Sequence, residues 1–321
     1  MKKIDYTVAR HTFRLQMEAG SPLWEWLTAY APFEAKATDG KAKTLDETGL
    51  VFTLTVCKEL EADDATPVFI NSDRSEESSR LDVFRTSGGY LFEFYPALSG
   101  EKNCRLRVSP DFTRSEAVLY GSHLHQLIGL NSALMLLFAL STAGTGTVHT
   151  HASAVMLEGK AYLFLGRSGT GKSTHSRLWQ HYIRGVEPLN DDHPILRINE
   201  TGEVIAYGSP WSGKTPCYRN ASAPVGGIVR LRQAKENRIK KLSTLEAYAS
   251  LTPSCSCMKW ESGMANDVHA TIEQIITTVP CYRLECLPDE AAAQLCHSTV
   301  AAPKQETETG NPGRKESLCS E

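Results

Sequence analysis

The rhythm of apolar and polar positions changes near the middle of the chain. Up to residue 118 it is the rhythm of strands. Residues 6–17 alternate in part and are rich in strand formers, and Leu-Val-Phe-Thr-Leu-Thr-Val at 50–56 is dense in β-branched residues. Residues 81–95 predict a hairpin around Gly88-Gly89, and 104–108 with 116–120 predict two strands about a turn at Pro110-Asp111. The stretch 62–79 is polar and reads as a loop. From 123 to 141, apolar positions 124, 127, 128, 134, 135 and 138 recur at helical spacing. Residues 147–157 then predict one strand, Glu158-Gly159-Lys160 a tight turn, and the fully apolar 161–165 a second strand. A helix is predicted from Thr174, with Leu178 and Tyr182 on one face. Further strands are predicted at 195–198, 204–207, 225–231 and 281–287. A helix is predicted over 264–278, and another after Asp289, which can cap it, to about 300. Beyond Pro303 the chain is polar and predicts a disordered tail.

This pattern divides the chain into a β-rich domain over 1–118, a mixed α/β nucleotide-binding domain over 119–301, and a tail over 302–321. The 321 residues include 41% hydrophobic and 22% charged side chains, enough for a packed core. Lys plus Arg is 34 and Asp plus Glu is 37, a net charge of −3, so no dedicated nucleic-acid partner is expected. The first residues carry two lysines and no apolar run after them, so no secretory leader is expected. The apolar stretch 127–140 is interrupted by Gly129, Asn131 and Ser132 and is too short to predict a membrane span. Nine scattered cysteines without a CxxC pair fit reduced thiols and a cytoplasmic location. Cys255, Cys257, Cys281 and Cys286 do not have zinc-ribbon spacing.

The chemistry concentrates where the apolar strand ends. Gly166-Arg-Ser-Gly-Thr-Gly-Lys-Ser173 matches G-x4-G-K-[ST] in full, with a strand predicted before it and a helix after it. Glycines let backbone N–H groups converge on phosphate oxygens, and the helix N-terminus adds its positive end. Gly166, Arg167, Ser168, Gly169, Thr170, Gly171, Lys172, Ser173 and Thr174 are therefore the candidate nucleotide contacts. Lys172 can reach the β- and γ-phosphates, and the Ser173 hydroxyl can ligate Mg²⁺. Asp191-Asp192 follows Lys172 by about twenty residues at the end of a short strand. One such acid can hold the metal while the other accepts the proton of an attacking hydroxyl. His151 lies fifteen residues before Gly166 on the preceding strand. Counting along the hairpin brings it to the nucleotide end only if that strand is long or bent.

Together, His151-Ala-Ser153, the loop 166–173 and Asp191-Asp192 resemble the C-terminal catalytic domain of HPr kinase/phosphorylase. More broadly they are similar to proteins with the phosphoenolpyruvate-carboxykinase type of P-loop fold. The resemblance spans roughly 147–232 and more loosely extends to about 297. It implies ATP and Mg²⁺ as cofactors, Asp191 as the base, Asp192 and Ser173 at the metal, and a supporting polar role for His151. The Asp pair stands about two residues farther from Lys172 than in HPr kinase, and the long signature leading into the protein-substrate site is absent. The closer likeness is to HPr-kinase-related proteins that phosphorylate serine hydroxyls. Their Pro-Trp-small-Gly-Lys loop is matched by Pro210-Trp-Ser-Gly-Lys214. The acceptor implied is a serine-bearing small molecule, peptide or protein, with neither nucleic acid nor membrane as partner. Lys214, Arg219, Arg230 and Arg232 are candidates for contacting the transferred phosphate or an acidic substrate. Trp211 either covers the ligand or packs. The alternative is a nucleotide-binding regulatory protein with little catalysis. A carboxykinase needs a Lys/His manganese site that has no counterpart here, and no NKxD motif marks a GTPase.

Overall fold

The computed structural model describes residues 1–35, 47–61, 64–71, 79–97, 99–213, 215–258 and 260–301. The expected tail at 302–321 and the candidate Lys214 lie outside these residues. Two mixed sheets, each with helices against it, make up an α/β architecture.

The first sheet runs β1 (Lys2–Val8), β2 (His11–Met17), β3 (Phe52–Val56), β4 (Thr66–Phe69), β5 (Arg80–Thr86), β6 (Gly89–Tyr95), β7 (Cys104–Val108) and β8 (Arg114–Leu119), in spatial order 1-2-3-8-7-6-5-4. The predicted strand at 6–17 is two strands. Ala9 and Arg10 both take positive φ (48° and 63°), the geometry of a tight hairpin turn, without the glycine that usually marks one. β4 falls inside the stretch read as a loop. After the short α1 (Leu23–Trp26), the long α2 (His123–Ser141) lays Leu130, Leu134, Leu137 and Phe138, all fully buried, onto Phe13, Phe52, Phe92 and Leu106 of this sheet. Gly129 allows the approach: a Cβ there would stand 2.8 Å from the Asn103 carbonyl oxygen. The helix has the span that its apolar spacing predicted. It is the one helix among the described residues long and apolar enough to cross a membrane by composition, and its buried side faces the sheet. Sequence pattern grouped α2 with the residues after it, whereas its apolar side belongs to the core before it.

The second sheet comprises β9 (Thr147–His149), β10 (Ala152–Leu157), β11 (Lys160–Leu165), β12 (Glu187–Asp192), β13 (Ile195–Ile198), β14 (Val204–Tyr207), β15 (Ser222–Gln233), β16 (Arg238–Lys241) and β17 (Cys281–Cys286). Its order is 12-10-11-15-14-13-9, and β17 adds to β15 and β16. The strand predicted over 147–157 is broken at Thr150-His151: β9 pairs with β13, while β10 pairs with β11 and β12. After Lys160, β11 is buried and apolar because both its faces are covered. Leu163 and Leu165 meet α4 (Thr244–Leu251) and α5 (Ser262–Thr278); Tyr162 and Phe164 meet α3 (Lys172–Tyr182) and α6 (Glu290–Val300). The core of the first sheet continues into the second through Ile195, Trp211 and Met258.

Candidate active site

The hairpin β10–β11 turns at Glu158-Gly159, both with positive φ, and this turn sets the register: Leu157 opposes Lys160, and Ala152 opposes Leu165. His151 is therefore level with Gly166, where the loop begins. No long or bent strand is needed, contrary to the expectation from counting. On the other side of β10, Ser153 opposes Asp191 and Ala152 opposes Asp192. Three sequence-distant pieces thus meet at one sheet edge.

The loop wraps from β11 into α3. Gly169 and Gly171 take φ of 77° and 105°, conformations that residues with a Cβ rarely adopt. Gly171 caps α3, with no side-chain cap and no acidic residue in the first turn. The first N–H groups of that helix are thus free to face an anion, and the helix dipole favours one.

Lys172 is buried, with 8% of its surface exposed. Its Nζ donates to the Gly166 carbonyl at 3.2 Å and stands 2.9 Å from His151 Nε2. The same histidine nitrogen is 3.0 Å from Asp192 Oδ1. One ring nitrogen cannot accept from the ammonium and donate to the carboxylate at once, so His151 is shared between two competing partners. His193 Nε2 is 3.2 Å from Asp192 Oδ2, and its ring stacks between those of His149 (4.8 Å) and His151 (5.6 Å). Burial acts to raise the Asp192 carboxyl, but the hydrogen bonds from His151 and His193 outweigh it and hold the group well below the usual carboxylate range. Burial pushes the Lys172 ammonium down, against the opposing charges of Asp192 and Asp191. Asp192 also has φ of 145°, a region almost reserved for glycine, and such strain collects where function demands it.

Asp191 faces elsewhere. It is buried, its Oδ1 accepts from Ser153 Oγ at 3.0 Å, and the Ser153 and Ser176 hydroxyls are 2.5 Å apart. Ser176 lies one turn after Ser173 on α3, so Asp191 looks toward the side of the helix that carries Ser173. Ser153, Ser176 and His193 were not singled out from the sequence. Ser153 does stand two positions after His151, and His193 directly follows the Asp pair.

The remaining candidates scatter. Arg219 is bound to the Pro188 carbonyl and to Glu187 at 2.8 Å, at the far end of β12 from Asp192, about 15 Å away by strand rise. It is not part of this site. Trp211 is 4% exposed, donates to Tyr30 Oη at 3.0 Å and packs on Phe138 and His149, so it joins the two sheets rather than covering a ligand. Arg230 and Arg232 line an open cleft with Arg167 and Arg283. Adjoining it at Gly169, Thr170, Leu231 and Gln233 is an apolar slot of about 570 Å³, formed by Leu178, Leu231, Leu287 and Pro288 beside Thr174.

Among the described residues no cluster of three or more His, Cys, Asp or Glu side chains is arranged to hold a metal by itself. Nucleotide-bound Mg²⁺ does not require one, since it takes one or two protein oxygens and fills its shell with phosphate and water. The hard-oxygen donors at this edge, the Ser173 hydroxyl and the Asp191 carboxylate, fit that chemistry.

The fold and site define an α/β protein with a glycine loop, a lysine and an acid–histidine cluster at one sheet edge. No family model matches the chain, and no curated protein matches it. Among solved structures it is similar to the HPr(Ser) kinase/phosphatase from Coxiella burnetii, at 14% sequence identity, over 48% of this chain and 93% of that one, with a TM-score of 0.29. This is a remote structural similarity.

Proposed function

We propose that the protein is an ATP- and Mg²⁺-dependent kinase that moves the γ-phosphoryl group to a hydroxyl acceptor, serine-like in its chemistry. The observation that carries this reading is the meeting of Lys172 with His151 and Asp192 at the mouth of an uncapped glycine loop. The loop N–H groups and Lys172 hold the phosphate chain, and the apolar slot beside Thr174 receives the base.

The roles of the two acids are exchanged relative to the sequence-based expectation. Asp191 and Ser173 hold the metal, because Asp191 faces α3. When bound, Mg²⁺ screens the charge of the β- and γ-phosphates. Asp192 accepts the proton of the attacking hydroxyl, because it is the acid beside Lys172. In the free protein Lys172 competes for His151. Phosphate draws Lys172 away, and His151 is then free to donate to Asp192 and orient its carboxylate. Such a depressed carboxylate is a weak ground-state base. It gains strength as the attacking oxygen becomes acidic in the transition state. The free thiols fit a reducing compartment such as the cytoplasm.

The test is incubation with γ-labelled ATP and Mg²⁺ against a panel of serine-bearing metabolites and peptides. Label in an acceptor supports the kinase. Tight ATP binding without transfer to any acceptor, and without hydrolysis, would make the nucleotide a regulatory ligand.

A further inference from the structure

The second sheet carries a row of opposed residues at its active edge. From β12 to β17 the cross-strand partners are Asp192, Ala152, Leu165, Arg230 and Arg283. Directly opposed residues share a face. The acid therefore stands at one end of the row and two arginines at the other, with the start of the glycine loop between them. Arg167, from the loop, and Arg232, two residues along β15, join those arginines around an open cleft of about 780 Å³, and no acidic residue lines it.

These charges are poorly compensated. Glu285 is the acid beside them, 3.3 Å from Arg232 and 3.8 Å from Arg283. Arg283 Nε is buried and has no hydrogen-bond partner. Arg230 donates to the Ser250 carbonyl at 3.4 Å, and no carboxylate pairs with it or with Arg167 among the described residues. Burial, and then the nearby charge of Arg167, weaken the hold of Arg230 on its proton. Several guanidinium forks around one hollow suit an oxyanion.

A donor base in the slot does not account for Arg230 and Arg283. Leu231 alternates with Arg230 and Arg232 along β15, so Arg230 and Arg283 point from the face opposite to Leu231, although the slot and the cleft meet at Gly169, Thr170, Leu231 and Gln233. A nucleotide whose base fills the slot approaches the loop from the α3 side. The arginine face is left for a second molecule.

We propose that Arg230 and Arg283, in the cleft that borders the glycine loop, form an anion site of their own, and that it holds the phosphate or carboxylate group of the acceptor. The acceptor is then an acidic hydroxyl compound rather than a neutral one. The anion site stands on the cleft alone; its assignment to the acceptor rests on the kinase reading. Asp192 and Arg230 are three strand spacings apart, about 14 Å between backbones, a span suited to a small acidic molecule between two inward-reaching side chains.

The experiment saturates the protein with Mg²⁺ and a non-hydrolysable ATP analogue, which fills the loop. Inorganic phosphate and malonate are then titrated in separate calorimetric runs. At least one should bind, and Arg283→Gln should weaken it tenfold or more while leaving analogue affinity within about twofold. Melting curves check that the variant is folded. If neither anion binds, the cleft is not an anion site. If Arg283→Gln weakens the analogue as much as the anion, the arginines serve the donor and the proposal is overturned. If the analogue itself does not bind, the loop reading fails. Anion titrations of nucleotide-free Lys172→Ala and Arg283→Gln proteins then decide the cleft: loss only in the Arg283 variant sustains it, and loss only in the Lys172 variant overturns it.

Discussion

Replacing each aspartate of the pair by asparagine separates the proposed roles. In Asp192→Asn, size and most hydrogen bonding persist, but the side chain cannot take a proton at neutral pH. Loss of a general base lowers transfer by about 10²–10⁴-fold, or about 3–5 kcal/mol of barrier. Nucleotide affinity should change little, because the proton moves only in the transition state. Asp191→Asn should instead raise the Mg²⁺ concentration needed and be partly rescued by more metal. The structure supplies a second reading of Asp192. At φ of 145° the backbone there is strained, a cost of about 1–3 kcal/mol. Asp192→Gly removes the strain, against about 0.5–1 kcal/mol of extra chain entropy. It also loses the contacts to His151 and His193, about 0.5–1.5 kcal/mol each, so the strain relief is offset and its stability should fall within about 1 kcal/mol of Asp192→Asn while it is equally inactive. Single-turnover transfer of labelled phosphate and urea denaturation of the three variants are the assays. Normal transfer by Asp192→Asn together with its loss in Asp191→Asn would restore the opposite assignment.

Two further predictions concern the fold. His11 is buried against Thr147 Oγ1 at 2.9 Å, and burial, then the Arg197 charge, lower its pKa to about 4. Its folded value lies below the unfolded one of about 6.5, so the unfolded chain takes up the proton first. Stability from this group is full above pH 6.5 and falls toward pH 4, by about 2 kcal/mol at pH 5. The gap between urea midpoints at pH 7.5 and 5 should narrow in His11→Gln, the remainder coming from other buried histidines such as His149 and His175, and parallel losses in both proteins would count against the reasoning. Gly129→Ala places a methyl 2.8 Å from the Asn103 carbonyl oxygen and 2.9 Å from Cys104 Cβ. It should cost about 1–3 kcal/mol, read as a fall of several degrees in Tm; an unchanged Tm would mean that α2 does not pack so closely.

The glycine loop was legible because its chemistry is written in consecutive residues, between a fully apolar strand and a helix. The position of His151 was also available, through the Glu158-Gly159 turn that fixes the hairpin register. What obscured it was reading 147–157 as one strand, when the chain changes pairing partners at Thr150-His151. The facing of Asp191 and Asp192 was not legible. Adjacent residues on a strand point to opposite faces, and which face meets α3 depends on pairing between β12 and β10. Arg219 attracted attention by residue type and Trp211 by its place in the Pro-Trp-Ser-Gly-Lys loop, yet one is held by Glu187 and the other is buried between sheets. Arg283 drew none, being one charge in a distant strand, and parallel pairing with β15 is what sets it beside Arg230.

The central claim is that the loop binds the phosphates of ATP through Lys172. Calorimetric titration of Mg-ATP into the wild-type protein and into Lys172→Ala tests it directly. One site is expected in the wild type. The variant loses a charge-assisted contact of about 1.5–3 kcal/mol and should bind roughly tenfold to hundredfold more weakly, with an unchanged melting curve in the absence of nucleotide. Equal affinity in the two proteins, or no binding to either, would contradict it.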